Sequence, residues 1–117
     1  MPRDAAKDVA ECVAAIAALE NPDRQMAEAL HQLVSEKAPM LLPRTFYGMP
    51  AYYLGDKNVL FFQSGIKFKT RYCTLGFSQA AVLDEEQMWP TSFAITEWTP
   101  AVAARIGELL LKATSTK

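Results

Sequence analysis

Asp4, Asp8 and Glu11 are spaced four and three residues apart, the spacing that lines one face of a helix. Carboxylate oxygens suit hard cations such as calcium or ferrous iron, which makes this ridge a candidate weak metal site. Lys7 offsets part of its charge, and in the plainer reading Asp4 caps the helix while Asp8 favours its positive end, on a solvated face opposite the apolar stripe. A second run, Asp84-Glu85-Glu86, is read on a loop, where consecutive acids are normally solvated. Neither group has the spacing of a calcium loop. The single histidine, His31, stands on a predicted helix with Glu28 three residues back and no His or Cys at ligand spacing. A histidine-centred metal site or a Ser-His-Asp triad has little to stand on, and a helix-packing or solvated ring is the simpler reading.

Lys67, Lys69 and Arg71 alternate with Phe68, Thr70 and Tyr72. On a strand that alternation puts three cations on one face, a strip for an acidic protein, a phosphate or single-stranded nucleic acid, or simply the solvated side of a half-buried strand. Two segments are dense in aromatic residues: Phe46-Tyr47-Gly48-Met49-Pro50-Ala51-Tyr52 and Met88-Trp89-Pro90-Thr91-Ser92-Phe93. Tyr47, Met49, Tyr52, Trp89, Thr91 and Ser92 are candidates to line an apolar pocket with a few polar hooks; the same segments also read as core corners turned by Gly48, Pro50 and Pro90. Cys73 to Ser78 lacks the glycine spacing of a phosphate loop or dinucleotide fingerprint. An enzymatic role would fall to Tyr52 or Asp84 as acid or base, a reading with no motif behind it.

The elements that must position these groups follow from periodicity. Val9, Cys12, Val13, Ile16 and Leu19 form the stripe of a first helix over Asp4 to Leu19. Asn21 and Pro22 start a second with the stripe Met26, Leu30, Leu33 and Val34, stopping by Ala38 because Pro39 disfavours helical geometry before it. β-Branched and aromatic residues then predict strands near 45–47, 51–54, 59–63, 66–70, 72–77 and 92–96, with Gly55-Asp56-Lys57-Asn58 and Ser64-Gly65 as hairpin turns. Residues 78–90 read as a loop with at most one helical turn. Thr99-Pro100 opens a last helix with Val102, Ile106, Leu109 and Leu110 on one face. The order predicts one α+β domain over 1–117: two N-terminal helices, a mainly antiparallel sheet of five or six short strands, and a C-terminal helix.

The chain has 117 residues, 12 Lys+Arg against 13 Asp+Glu, and 50% hydrophobic residues. That excludes wholesale disorder and suits one domain with a core. The near-zero net charge argues against a protein that works mainly by holding nucleic acid. The N-terminal stretch Met1 to Asp8 carries both charge signs and no signal-peptide run, and no apolar stretch approaches the ~20 residues of a membrane span. Cys12 and Cys73 form no CxxC motif and read as reduced core thiols, which points to the cytoplasm. Sheet surface near Val59 to Gln63 is a candidate homodimer face.

Tyr47-Gly48-Met49-Pro50-Ala51-Tyr52, Phe61-Phe62, Thr74-Leu75-Gly76-Phe77-Ser78, Leu83-Asp84 and Met88-Trp89-Pro90-Thr91-Ser92-Phe93-Ala94 resemble, in order and spacing, the YdhG-like domain-of-unknown-function family of small bacterial proteins. The resemblance implies a compact α+β domain with an antiparallel sheet. Some members look like frataxins, two-layer sandwiches described as iron chaperones that hand iron to an acceptor protein. It therefore implies a non-enzymatic iron carrier, with Asp4, Asp8 and Glu11 placed by position where a frataxin carries its acidic helix face. The alternative from another class is a small-molecule or peptide binding module built on the aromatic segments.

Overall fold

The computed structural model describes residues 4–115; residues 1–3 of the charged N-terminal stretch and 116–117 lie outside them. The elements are α1 (Ala5–Ala17), α2 (Asp23–Lys37), β1 (Leu42–Phe46), β2 (Met49–Leu54), β3 (Lys57–Gln63), α3 (Gly65–Phe68), β4 (Cys73–Phe77), β5 (Ser92–Ile95) and α4 (Pro100–Ala113). The five strands form one antiparallel sheet in chain order, β1-β2-β3-β4-β5. The α+β architecture predicted from the sequence is the one observed, with two N-terminal helices and a C-terminal one. Among the described residues no helix is long and apolar enough to cross a membrane.

Each long helix starts and faces inward for reasons written in its residues. The Asp4 carboxylate accepts the Lys7 N–H at 3.2 Å and the Thr99 hydroxyl accepts the Val102 N–H at 3.1 Å, with Pro100 in the first turn where its missing N–H costs nothing. In α2, by contrast, Pro22 itself is the N-cap, with no side-chain cap bond, and Asn21 plays no capping part. Cys12 and Ile16 from α1, Leu19 just after it, Met26, Leu30 and Val34 from α2, and Ile106, Leu109 and Leu110 from α4 join one core cluster with Tyr52, Leu60, Phe62, Leu75 and Phe77. Pairing of Tyr52 with Leu60, Leu60 with Phe77 and Phe62 with Leu75 puts those five on one face of the sheet. The rung Arg44, Ala51, Phe61, Gly76 and Ser92 belongs to the other face, and none of its members enters that cluster.

The first hairpin turns in two residues, Tyr47 and Gly48, with φ of 50° and 78°. Two positive φ values are the signature of a type I′ turn, whose twist suits a hairpin and whose first position favours Asn, Asp or Gly. Tyr47 is 86% exposed and touches its neighbour Phe46 edge-on at 4.6 Å. Tyr47→Asn is therefore expected to stabilise the fold by about 1 kcal/mol, since a left-handed non-glycine costs ~1–2 kcal/mol and little packing is lost. Thermal unfolding checks this.

The strand predicted at 66–70 is absent. Ser64 caps a four-residue helix, α3, in its place: its hydroxyl oxygen accepts the Lys67 N–H at 3.1 Å. Lys69 closes the helix in the left-handed region, φ 57°, while Thr70 N–H donates to Gly65 O at 2.8 Å and Lys69 N–H to Ile66 O at 3.3 Å. This is a Schellman closure with lysine where glycine is usual. Alternation alone mimicked a strand, and the cap and the closing turn override it. The surface considered for a dimer, 59–63, lies on the central strand β3, with Val59, Leu60 and Phe62 buried.

Candidate functional site

The carboxylate ridge of helix one does not form. Asp4, Asp8, Cys12 and Ile16 are each four residues apart, so Asp8 lies on the buried stripe rather than opposite it. Asp8 is 8% exposed, and its Oδ2 stands 3.9 Å from the Arg44 Nε. The Arg44 guanidinium in turn lies 3.9 Å from the centre of the Tyr53 ring. Asp4 is engaged as a cap, leaving Glu11 exposed. In the second run, Glu85 accepts the Lys112 Nζ at 2.9 Å; that hydrogen bond and the lysine charge hold its carboxyl below the usual range. Among the described residues no three His, Cys, Asp or Glu side chains gather where they could hold a metal ion.

His31 packs as a helix residue. Its Nδ1 lies 2.9 Å from the Tyr52 hydroxyl, and burial lowers its pKa. Tyr52 is fully buried; burial, then the neighbouring Cys12 thiol, pushes its phenol above the ordinary value. A neutral imidazole accepting from a protonated tyrosine satisfies both groups. Tyr52 is thus a core residue with a tied hydroxyl, out of reach of a substrate.

A second buried polar cluster joins α2 to α3. Asp23 Oδ2 accepts the Ser64 hydroxyl at 2.7 Å and the Ile66 N–H at 3.0 Å. Burial pushes this carboxyl up, but hydrogen bonds from Ile66, Ser64, Cys73 and Gly65 outweigh it and its pKa lies below the usual aspartate value. Burial pushes the adjacent Cys73 thiol up to about 11, so it stays protonated at neutral pH. Cys12 and Cys73 are both buried and free. A small cavity of about 180 Å³ adjoins Asp23 and Cys73, yet the Asp23 carboxylate is already taken up by Ser64 and Ile66. The arrangement is a fastener.

The six proposed pocket residues separate. Tyr52 is in the core, Tyr47 at the hairpin tip, Met49 buried on the rung side of the sheet, and Ser92 exposed at the start of β5. Trp89 and Thr91 alone meet, and they line a hollow of about 580 Å³ with Phe77, Ser78, Gln79, Ala81, Val82 and Asp84. A neighbouring hollow of about 570 Å³ shares Ser78 and Gln79 and adds Lys57, Asn58 and Ala80. Both volumes fall within the ~300–1,000 Å³ of small-molecule sites.

The loop that walls this site is irregular but pinned. Phe77 N–H donates to Thr91 O at 2.7 Å, Ser78 N–H to Val59 O at 2.9 Å, and Val82 N–H to Ala113 O at 2.9 Å. Ala81 and Leu83 bury into the main core, and the Glu85–Lys112 ion pair ties the far side to α4. The Phe77 ring meets Phe93 edge-on at 6.0 Å. Ser78 donates its hydroxyl proton to Asn58, whose buried amide nitrogen has no hydrogen-bond partner among the described residues. The site thus offers an indole, a phenyl floor, two hydroxyls and the Gln79 amide. Phe77, Ser78, Gln79, Ala81 and Val82 were missed as lining residues; Phe77-Ser78 closes one of the distinctive sequence blocks, which was the available signal.

Comparison with known proteins adds no relative: no family model, no curated protein and no solved structure matches the chain. The family resemblance and the iron role it implies therefore rest on the quoted residues alone.

Proposed function

We propose that the protein is a non-enzymatic binding module for a small organic molecule with a flat apolar face, held against Trp89. The observation that carries this is the meeting of Trp89 and Thr91 with Ser78 and Gln79 around one pinned hollow of about 580 Å³. The indole supplies rigid contact area at low entropy cost, and the hydroxyls and the Gln79 amide supply orientation. The two buried thiols suit a reducing, cytoplasmic setting, which is part of the same proposal. Iron carriage, the role the resemblance implies, has less to draw on, since three of its six candidate carboxylates are already engaged: Asp4 on a helix N–H, Asp8 beside Arg44, Glu85 on Lys112.

The test is Trp89 fluorescence in a Trp98→Phe background across a panel of aromatic and heterocyclic metabolites. A binder from the panel should lose about 30-fold in affinity, read by calorimetry, with Trp89→Ala in the otherwise unchanged chain, the ~2 kcal/mol typical of a central aromatic anchor. No response from any compound, or a response indifferent to residue 89, defeats the proposal.

A further inference from the structure

Residues 66–71, running from α3 into the turn that follows it, form an exposed loop; Ile66, Thr70 and Arg71 line the small Asp23 cavity, and the Trp89 hollow uses none of the six. Three cations, Lys67, Lys69 and Arg71, fall within five residues, and none pairs with a carboxylate among the described residues. Two apolar side chains stand open beside them, Ile66 at 41% and Phe68 at 45%. The loop is not slack: Asp23 holds its start through Ser64 and Ile66, and the Schellman closure holds its end. Lys69 keeps a left-handed backbone that glycine would adopt without strain. A hollow of about 480 Å³ adjoins the loop; its lining includes Ala15 of α1, Ala18, Leu19 and Glu20 just after that helix, and Ile66 and Lys67 of α3.

We propose that this loop docks an acidic peptide segment of a partner protein, whose carboxylates meet Lys67, Lys69 and Arg71 while one apolar side chain enters the adjoining hollow. Charge complementarity selects the acidic partner, since three cations with no carboxylate partner among the described residues gain most from carboxylates or phosphates. Glu20 makes the hollow itself unsuited to an anion, which assigns it to the apolar side chain. A flat lipid surface has nothing that enters such a hollow. Single-stranded nucleic acid would need open aromatic faces for stacking, whereas Lys67 lies 5.9 Å from the centre of the Phe68 ring and Arg71 lies 5.3 Å from that of Tyr72.

The test is amide-shift NMR on the whole chain with two probes, the blocked peptide Glu-Glu-Leu-Glu-Glu and its counterpart Lys-Lys-Leu-Lys-Lys. The acidic peptide should move amides of residues 65–72 together with Ala18 and Leu19, less so at high salt, and the basic peptide should move none of them. Lys69→Gly should weaken the acidic peptide about three-fold, the scale of one exposed ion pair. Its unfolding temperature should hold or rise, because glycine suits the left-handed position, so lost binding cannot be put down to lost folding. Silence of 65–72 toward the acidic peptide overturns the proposal, as does equal binding by Lys69→Gly. A response of the loop only to phosphatidylserine vesicles or oligothymidine would overturn it as well.

Discussion

Asp23→Ala is expected to cost about 3 kcal/mol of stability and to unfasten α3. The carboxylate accepts the Ser64 hydroxyl at 2.7 Å and the Ile66 N–H at 3.0 Å in a site where Asp23 is 5% exposed. Hydrogen bonds to a charged group are worth ~1.5–3 kcal/mol each, and alanine leaves both donors without an acceptor. Because Ser64 also caps α3 through Lys67, the loss should spread along residues 64–70 as faster amide exchange, with α4 unaffected. Asp23→Asn keeps one acceptor oxygen but loses the charge, and should fall between wild type and alanine. The pH dependence has a fixed sign. The folded pKa lies below the unfolded value near 3.8, so this contribution is complete above the unfolded pKa and is lost as pH falls through the folded one. Denaturant midpoints between pH 7 and pH 2 should show an acid-side decline in wild type that is shallower in Asp23→Ala.

The second large effect separates two glycines. A Cβ on Gly65 would stand 2.6 Å from the Tyr72 carbonyl oxygen and 2.8 Å from its carbonyl carbon, both backbone atoms that move only if the turn to β4 moves. A Cβ on Gly76 would stand 2.3 Å from the tip of the Phe61 ring, a half-buried side chain on the face outside the main core. The nominal clash is closer at Gly76, but a ring can rotate aside where the backbone of the turn at Tyr72 cannot. Gly65→Ala is therefore expected to cost about 3 kcal/mol, at the upper end of overpacking penalties and despite alanine's better helix propensity. Gly76→Ala should cost about 1 kcal/mol, most of it in Phe61's contacts with Gly76 and Phe46. Urea unfolding of the two variants side by side tests the order; a reversed order would mean the α3–β4 turn is softer than its hydrogen bonds imply.

What was legible in the sequence was whatever rests on period and caps. The stripes of α2 and α4, the stop at Ala38 and the Thr99-Pro100 start are local, and each is observed; the α1 stripe is observed at Cys12, Ile16 and Leu19, while Val13 is 47% exposed. The cation alternation at 67–71 failed because a strand needs neighbours for its backbone groups. Here Asp23, some forty residues away, takes the Ile66 N–H instead, which no local pattern announces. Asp8 was misplaced for a simpler reason: four-residue spacing from Cys12 put it on the apolar stripe, but its charge made a solvated face the natural reading. Its neighbour Arg44 comes from β1, so the pairing was visible only in three dimensions. The aromatic segments carried a mixed message. Tyr47, Met49 and Tyr52 alternate along one hairpin and part company by strand parity and turn geometry, whereas Trp89 and Thr91 stay together because Thr91 O accepts from Phe77 N–H.

The most direct test of the central claim is a pair of titrations of the labelled chain, each followed by amide and indole shifts. One uses the aromatic and heterocyclic metabolite panel, the other ferrous iron under anaerobic conditions. The account predicts that a panel compound moves the Trp89 indole and the amides of Ser78, Gln79 and Thr91 together. It also predicts that iron produces no saturable broadening tighter than about 1 mM, equivalent to ~4 kcal/mol. Tight ferrous broadening centred on Glu11 or on Asp84 to Glu86, with the Trp89 indole unmoved by every compound, would contradict it and return the carboxylates to the centre of the function.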